Sequence, residues 1–291
     1  MKRFFLLASV MFFGIFLYAQ TETKNFNVSD FTGIDAGGVF NIELVKANKG
    51  SVSIETHPEI MKVIEVKVNG GVLHLDMDTD DLSRTLKRNM PKVYVKIGMN
   101  ELRYLELSGA SRLTCLSSFS TDDFKADMSG ASNVTDLKID CRTFYLEVSG
   151  ASKMNVSGKV SGMAKYDLSG ASNLDIKQDA GSLKLEASGA SKIRFDGTVS
   201  ERVDISFSGA SNMEMKGGGT QTMTLDVSGA SKFTSLEFPA KDMRVELTGV
   251  SKADINASGT LHTNVSGGSK LNYKGNATIT HANQPSIRKI D

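Results

Sequence analysis

One tetrapeptide recurs nine times beyond residue 100. It reads Ser108-Gly109-Ala110-Ser111, then returns unchanged at 129–132, 149–152, 169–172, 188–191, 208–211 and 228–231. Two altered copies follow, Thr248-Gly249-Val250-Ser251 and Ser266-Gly267-Gly268-Ser269. Successive copies start 18 to 21 residues apart. A period of that size marks an array in which each unit is one coil that buries its apolar side only by stacking on the next.

The flanks of the motif say what kind of coil it is. The residue before it is apolar in every copy (Leu107, Met128, Val148, Leu168, Ala187, Phe207, Val227, Leu247, Val265), and two residues earlier apolar side chains return, as in Leu105, Leu146, Leu185 and Leu225. The residue after it is basic or Asn throughout, and the next is apolar throughout. Period two is the signature of strands with one buried face, and it excludes a helical solenoid, where residues i and i+2 point to different sides. The fold class expected is therefore all-β, a parallel β-helix (β-solenoid) of about 20 residues per coil, each coil built of two or three short strands and tight corners. The motif reads as a corner. Gly supplies positive φ or close backbone approach, Ala fits where two walls converge, and the Ser hydroxyls bond backbone groups that the bend leaves unpaired.

Four segments are expected. Residues 1–19 read as a cleaved signal peptide, with Lys2 and Arg3 ahead of a largely apolar run from Phe4 to Tyr18 and a small residue at Ala19. Residues 20–100 form an N-terminal β segment or cap, in which Asn69-Gly70-Gly71 is a turn between two alternating runs. Residues 101–273 are the solenoid repeats, and 274–291 cap the far end, because an open sheet edge invites aggregation. The 34 basic residues nearly balance the 33 acidic ones, and loss of the signal segment leaves 32 against 33. No basic excess exists to condense on phosphate, so nucleic acid is not an expected partner. After cleavage the chain is not expected to span a membrane.

The exported character, the opening run Phe31-Thr-Gly-Ile-Asp-Ala-Gly-Gly-Val-Phe-Asn-Ile-Glu-Leu44, the segment Val66-Lys-Val-Asn-Gly-Gly-Val-Leu-His-Leu75 and the serial Ser-Gly-Ala-Ser coils together resemble the bacterial putative auto-transporter adhesin, head GIN domain family. The resemblance covers nearly the whole mature chain. It implies a parallel β-helix on an exported bacterial protein, in the periplasm or at the cell surface, with an adhesin-like role. It supplies no catalytic residues, and no outer-membrane barrel segment is read here.

The candidate binding residues form an outward acidic column two places before the motif: Glu106, Asp127, Glu147, Asp167, Glu186, Asp226 and Glu246, with Ser206 and Asn264 in the other two copies. Neighbours in such a column stand about 5 Å apart and repel. Compensation is expected from the Lys/Arg/Asn column after the motif, from the interleaved Lys125, Lys165, Lys184 and Arg244, or from a bound cation. The main reading is a solvated charged face that sets solubility and register. A cation-binding or glycan-binding stripe is the sharper alternative.

Other features carry less. Asp76, Asp78 and Asp80 have the opening spacing of a calcium loop, but Asp81 stands where a Gly is required and Lys87 where a bidentate Glu is required, so an exposed turn is favoured. Gly-Ala-Ser lacks the second Gly of a nucleophile elbow. His57, His74, His262 and His281 follow neither the period nor a metal spacing. Cys115 and Cys141 lie 26 residues apart, out of register by about six, so two buried thiols are favoured over a disulfide.

The function expected is that of a non-enzyme without catalytic residues, metal or cofactor. It presents an extended adhesin-like surface to a glycan or an envelope protein. The alternatives are a polysaccharide-active β-helix enzyme and a purely structural envelope component. Oligomeric state and ligand are not read from the sequence.

Overall fold

The computed structural model describes residues 21–280 and 286–290. The signal segment and His281 lie outside the described residues. The chain is 68% β-strand and winds into a β-solenoid of about nine turns of about 20 residues.

Each full coil is one tetrapeptide corner followed by one long strand, Asn133–Val148, Lys153–Leu168, Asn173–Ala187, Lys192–Phe207 and Asn212–Val227 in turn. This differs from the two or three short strands expected. The strand bends without ending: its parallel ladder shifts register midway, as between Val160 and Met163, and then resumes. Side chains alternate between core and surface on both sides of the shift. In the Lys153–Leu168 coil the core takes Met154, Val156, Val160, Ala164, Tyr166 and Leu168. Burying a large apolar side chain contributes about 1.5–3 kcal/mol, so each added coil is stabilised by its inward set once it stacks on the last. Aromatic rings continue from coil to coil: Phe124 to Phe144 at 5.2 Å and Phe144 to Tyr166 at 5.3 Å between centroids. The buried Tyr166 hydroxyl donates to Gln178 Oε1, which keeps this core phenol from being orphaned.

The corner explains the repeat. Its backbone carries the inter-coil ladder through the bend, with Ser149 N donating to Met128 O at 2.8 Å, Ala151 N to Gly130 O at 2.8 Å and Lys153 N to Ser132 O at 2.9 Å. The motif glycines run in one file from Gly109 to Gly267 with φ between 69° and 94°. A Cβ at any of the file from Gly130 onward would strike the carbonyl oxygen of the preceding glycine in it. Both conformation and contact therefore demand Gly. The second Ser of each motif is buried, and at Ser132, Ser152, Ser172 and Ser251 its hydroxyl donates back across the turn, as from Ser132 Oγ to Ser129 O at 2.9 Å and Ser172 Oγ to Ser169 O at 3.2 Å. The Ala corrects an expectation. It does not fit between converging walls but stands exposed at the tip, as at Ala131, Ala171 and Ala210. With Gly turning the chain and Ser anchoring it, the tip residue needs only to be small enough to stack.

The solenoid begins before the first tetrapeptide. Gly37 and Gly38 align with Ser108 and Gly109, so Gly33–Gly38 and Phe40–Lys46 form the two walls of an earlier coil. Val72–Met77 and Val93–Met99 extend those walls in parallel. Outside them the sense reverses: Ile64–Asn69 pairs antiparallel with Val72–Met77, and Ser51–Thr56 pairs antiparallel with both Val93–Met99 and Glu22–Phe26. Antiparallel neighbours close through short turns where parallel ones need a full coil, so reversal ends the stack. Gly70 and Gly71, with φ of 58° and 77°, make the two-residue turn. At the far end Thr278–Thr280 and Ile287–Lys289 extend the two walls in parallel.

Candidate binding faces of the solenoid

Alternation on the strand before the corner turns the seven candidate carboxylates outward, and parallel pairing puts them in one file. Glu106, Asp127, Glu147, Asp167 and Glu186 are successive register partners, followed by Ser206, Asp226, Glu246 and Asn264. The file continues past the sequence motif. Asp35 pairs with Glu106 and His74 with Asp35, where His74 Nδ1 and Asp35 Oδ2 are 3.0 Å apart. Sequence reading missed these two because neither level carries the tetrapeptide: Gly37-Gly38-Val39 stands there after Asp35 and Asp76-Met77-Asp78 after His74. The double glycine was the available signal for Asp35.

The compensation comes from the outward residues two places earlier on the same strands. Lys125 Nζ lies 2.9 Å from Asp127, Lys165 Nζ 2.7 Å from Asp167, Lys184 Nζ 2.9 Å from Glu186, and Arg244 bonds Glu246. Beside Glu106 and Glu147 this neighbouring file offers phenols, and beside Ser206 and Asp226 it holds Asp204 and Thr224. Tyr145 Oη donates to Asp167 at 2.9 Å and Glu147 at 3.3 Å, and Tyr104 donates to Glu106. Lys125 also lies between the rings of Tyr104 and Tyr145, 6.0 and 5.7 Å from their centroids, and Lys165 is 4.8 Å from that of Tyr145. The electrostatics follow. Desolvation and then the bonded carboxylates push the Tyr104 and Tyr145 phenols well above their ordinary range. Asp127 raises Lys125, and Glu186 raises Lys184. A shallow cleft of about 300 Å³ runs beside this file, lined by Glu147, Asp167, Glu186 and Ser206 with Ser169, Ser188 and Ser208 of the corners.

Across the corner lies a second file. Register partners run Asn41, Arg112, Asn133, Lys153, Asn173, Lys192, Asn212, Lys232, Lys252 and Lys270, so cation and amide alternate over eight levels. This file does not compensate the acidic one, contrary to one of the expectations above. Lys252 pairs with Asp254 of its own strand at 3.0 Å. Arg112, Lys153, Lys192, Lys232 and Lys270 are exposed and form no ion pair among the described residues. A cleft of about 480 Å³ flanks the file, lined by Asn155, Asp175, Lys177, Arg194, Glu214 and Lys216 among others.

The remaining candidates take other roles. Asp78 Oδ1 accepts from Asp80 N at 3.0 Å, and Asp80 O from Lys87 Nζ at 2.8 Å, which makes a capped turn after the Val72–Met77 strand. His57 Nδ1 caps the short helix Pro58–Met61, and His262 Nδ1 bonds Thr280 Oγ1 at 2.6 Å. Among the described residues no three His, Cys, Asp or Glu side chains converge as a metal site. Cys115 and Cys141 are free buried thiols; burial pushes both up, Cys141 to about 12. No described helix is long and apolar enough to cross a membrane.

No functionally curated protein matches the sequence. Among solved structures, the chain is similar to a putative adhesin from Parabacteroides distasonis ATCC 8503 at 16% identity and a TM-score of 0.53, over 94% of this chain and 98% of that one. It is also similar to a putative lipid binding protein of the same organism at 14% identity and a TM-score of 0.50, over the same shares. At these identities the likeness shows the solenoid fold. The sequence profile described as "Putative auto-transporter adhesin, head GIN domain" matches residues 30–178 and 161–277, which takes in both files from Asp35 to Lys270. The chain belongs to that family.

Proposed function

We propose that the protein is an exported, non-enzymatic solenoid that presents an extended surface, adhesin-like, to a glycan or an envelope protein. The observation that carries this reading is the persistence of a carboxylate over six successive levels from Asp35 to Glu186 and of the cation/amide alternation over eight levels from Asn41 to Lys232. A binding face for an extended partner gains from repetition, because each coil adds a similar weak contact. A catalytic centre has to break the repeat at one level. The cleft beside the acidic file illustrates the difference: its carboxylates are held by Lys165, Lys184 and Tyr145. A glycosidase needs two carboxyls free to face one scissile bond, whereas these are engaged by their neighbours.

Native electrophoresis of the protein through gels cast with a panel of polysaccharides, stained for protein and for remaining polymer, tests the reading. Retardation with the polymer intact is expected. Cleared zones around the band would overturn the non-enzyme assignment. Unaltered migration in every gel would leave a protein or lipid as the partner.

A further inference from the structure

We infer that the ligand-bearing face is the alternating cation/amide file after the corner, and that it takes an extended anionic polysaccharide whose acidic groups fall on alternate sugars. This rests on the extended-surface reading above and names its partner class.

The argument begins with the cost of stacking like charges. Strands one coil apart are about 4.8 Å apart, and like charges directly opposite destabilise a sheet. The two walls meet this problem in different ways. The acidic file puts a carboxylate at nearly every level and answers it from the neighbouring file, with Lys125, Lys165, Lys184 and Arg244 in bonding range and two phenols between. The basic file spaces its charges instead. From Arg112 to Lys232 an Asn separates every cation from the next, so the charges recur about every 10 Å. Spacing alone explains why the cations do not repel. It does not explain why charge is retained at Arg112, Lys153, Lys192 and Lys232, which have no anionic partner among the described residues, when Asn at every level would stack without penalty.

The chemistry of the file selects the partner. A cation every second level is complementary to an anion at the same interval, and the amide between is of a type that hydrogen-bonds sugar hydroxyls, through its NH2 at Asn173, whose Oδ1 is buried. A linear glycan with one carboxylate per disaccharide has that layout. A nucleic acid strand fits poorly. A duplex carries a charge about every 3.4 Å along each strand, far denser than this file, and single-strand sites rely on stacking aromatics, whereas the file from Asn41 to Lys270 contains none. The neighbouring outward file supports the register at the levels of Arg112, Asn133 and Lys153, where it holds the uncharged Thr114, Thr135 and Asn155. Carboxylates stand there at Glu43 one level below and from Asp175 on above, Asp175 paired with Arg194.

The test uses purified protein and hyaluronan oligosaccharides, chosen because their carboxylates lie on alternate sugars, with dextran and oligothymidylate as comparison probes. Saturable binding of hyaluronan that weakens as salt rises is expected, with dextran bound less tightly. Replacing Lys153, Lys192 and Lys232 together by Gln should reduce hyaluronan affinity roughly tenfold or more at low salt and flatten its salt dependence. The triple variant Glu147→Gln, Asp167→Asn, Glu186→Gln should bind at least as well as the parent. All three lysines are exposed, so unchanged melting temperature and circular dichroism should accompany the loss. Parent-like affinity in the lysine variant, equal binding of dextran, or tighter binding of oligothymidylate would each overturn the proposal. Hyaluronan unbound while another polysaccharide retards the protein overturns the assignment of this face and class but leaves the extended-surface reading standing. Hyaluronan unbound and no polysaccharide retained overturns the glycan reading as well.

Discussion

The two walls that meet at the Ser-Gly-Ala-Ser corner share one backbone, one register and one core, yet they treat charge oppositely. Before the corner, carboxylates are stacked at nearly every level and each of most is tied to a cation or a phenol on its own or the next coil. After it, cations are thinned by Asn and left facing solvent. A crowded file of like charge has to be neutralised by the protein itself. A diluted file does not, and its charges stay available to a partner. The contrast teaches that an outward column of acidic residues, the most conspicuous charge pattern in the sequence, is the one the fold has already used up.

The comparison breaks most completely if the corner breaks, because both walls depend on it. Replacing Gly170 by Ala puts a Cβ against the carbonyl oxygen of Gly150 and a side chain at φ of 81°. A loss of roughly 3 kcal/mol or more is expected in urea unfolding. Ala171→Ser at the exposed tip beside it should change stability by less than about 0.5 kcal/mol.

Alkaline pH acts on the wall before the corner through four groups, and on the wall after it through Lys216, which Glu214 raises. Tyr104, Tyr145, Lys125 and Lys184 all have raised values in the folded chain. A group raised on folding contributes stability that is complete below its unfolded value, about 10 for these types, and is lost as pH rises through the folded value. The urea midpoint should therefore fall above about pH 10. The combined variant Tyr104→Phe, Tyr145→Phe, Lys125→Gln, Lys184→Gln should show a shallower fall. The Lys153/Lys192/Lys232→Gln variant should keep the slope of the parent.

Much of this was legible in the sequence, for a physical reason. A solenoid bonds each coil to the next at fixed offset, so a position in the period is a place on the rod, and the seven carboxylates from Glu106 to Glu246 could be put in one file by counting. The same counting found the buried apolar files and the Lys/Arg/Asn column after the motif, though not its alternation. What it left out involves geometry that the period does not encode. The strand continues through its midpoint bend because the ladder can slip by a residue at places such as Val160 to Met163, and slippage leaves no sequence punctuation. Ala was assigned to the inside because it is small, whereas the buried hydroxyl of the following Ser shows which residue the turn points inward. Asp35 escaped because the coil below the first tetrapeptide keeps the corner's backbone with Gly37-Gly38 and not its letters, and His74 because its level carries Asp76-Met77-Asp78 there. The pairing of carboxylates with Tyr and Lys two residues earlier was within reach, since i and i+2 share a strand face.

The measurement closest to the central claim compares two triple variants in melting temperature against salt. Lys125, Lys165 and Lys184 are replaced by Gln in one, and Lys153, Lys192 and Lys232 in the other. Removing cations from the paired wall should lower the melting temperature at low salt, with the deficit shrinking as salt screens the stacked carboxylates. Removing them from the spaced wall should leave the melting temperature unchanged or slightly raised at every salt concentration. Equal destabilisation by the two variants would contradict the account, because it would show that the file after the corner is held by charge pairing of its own.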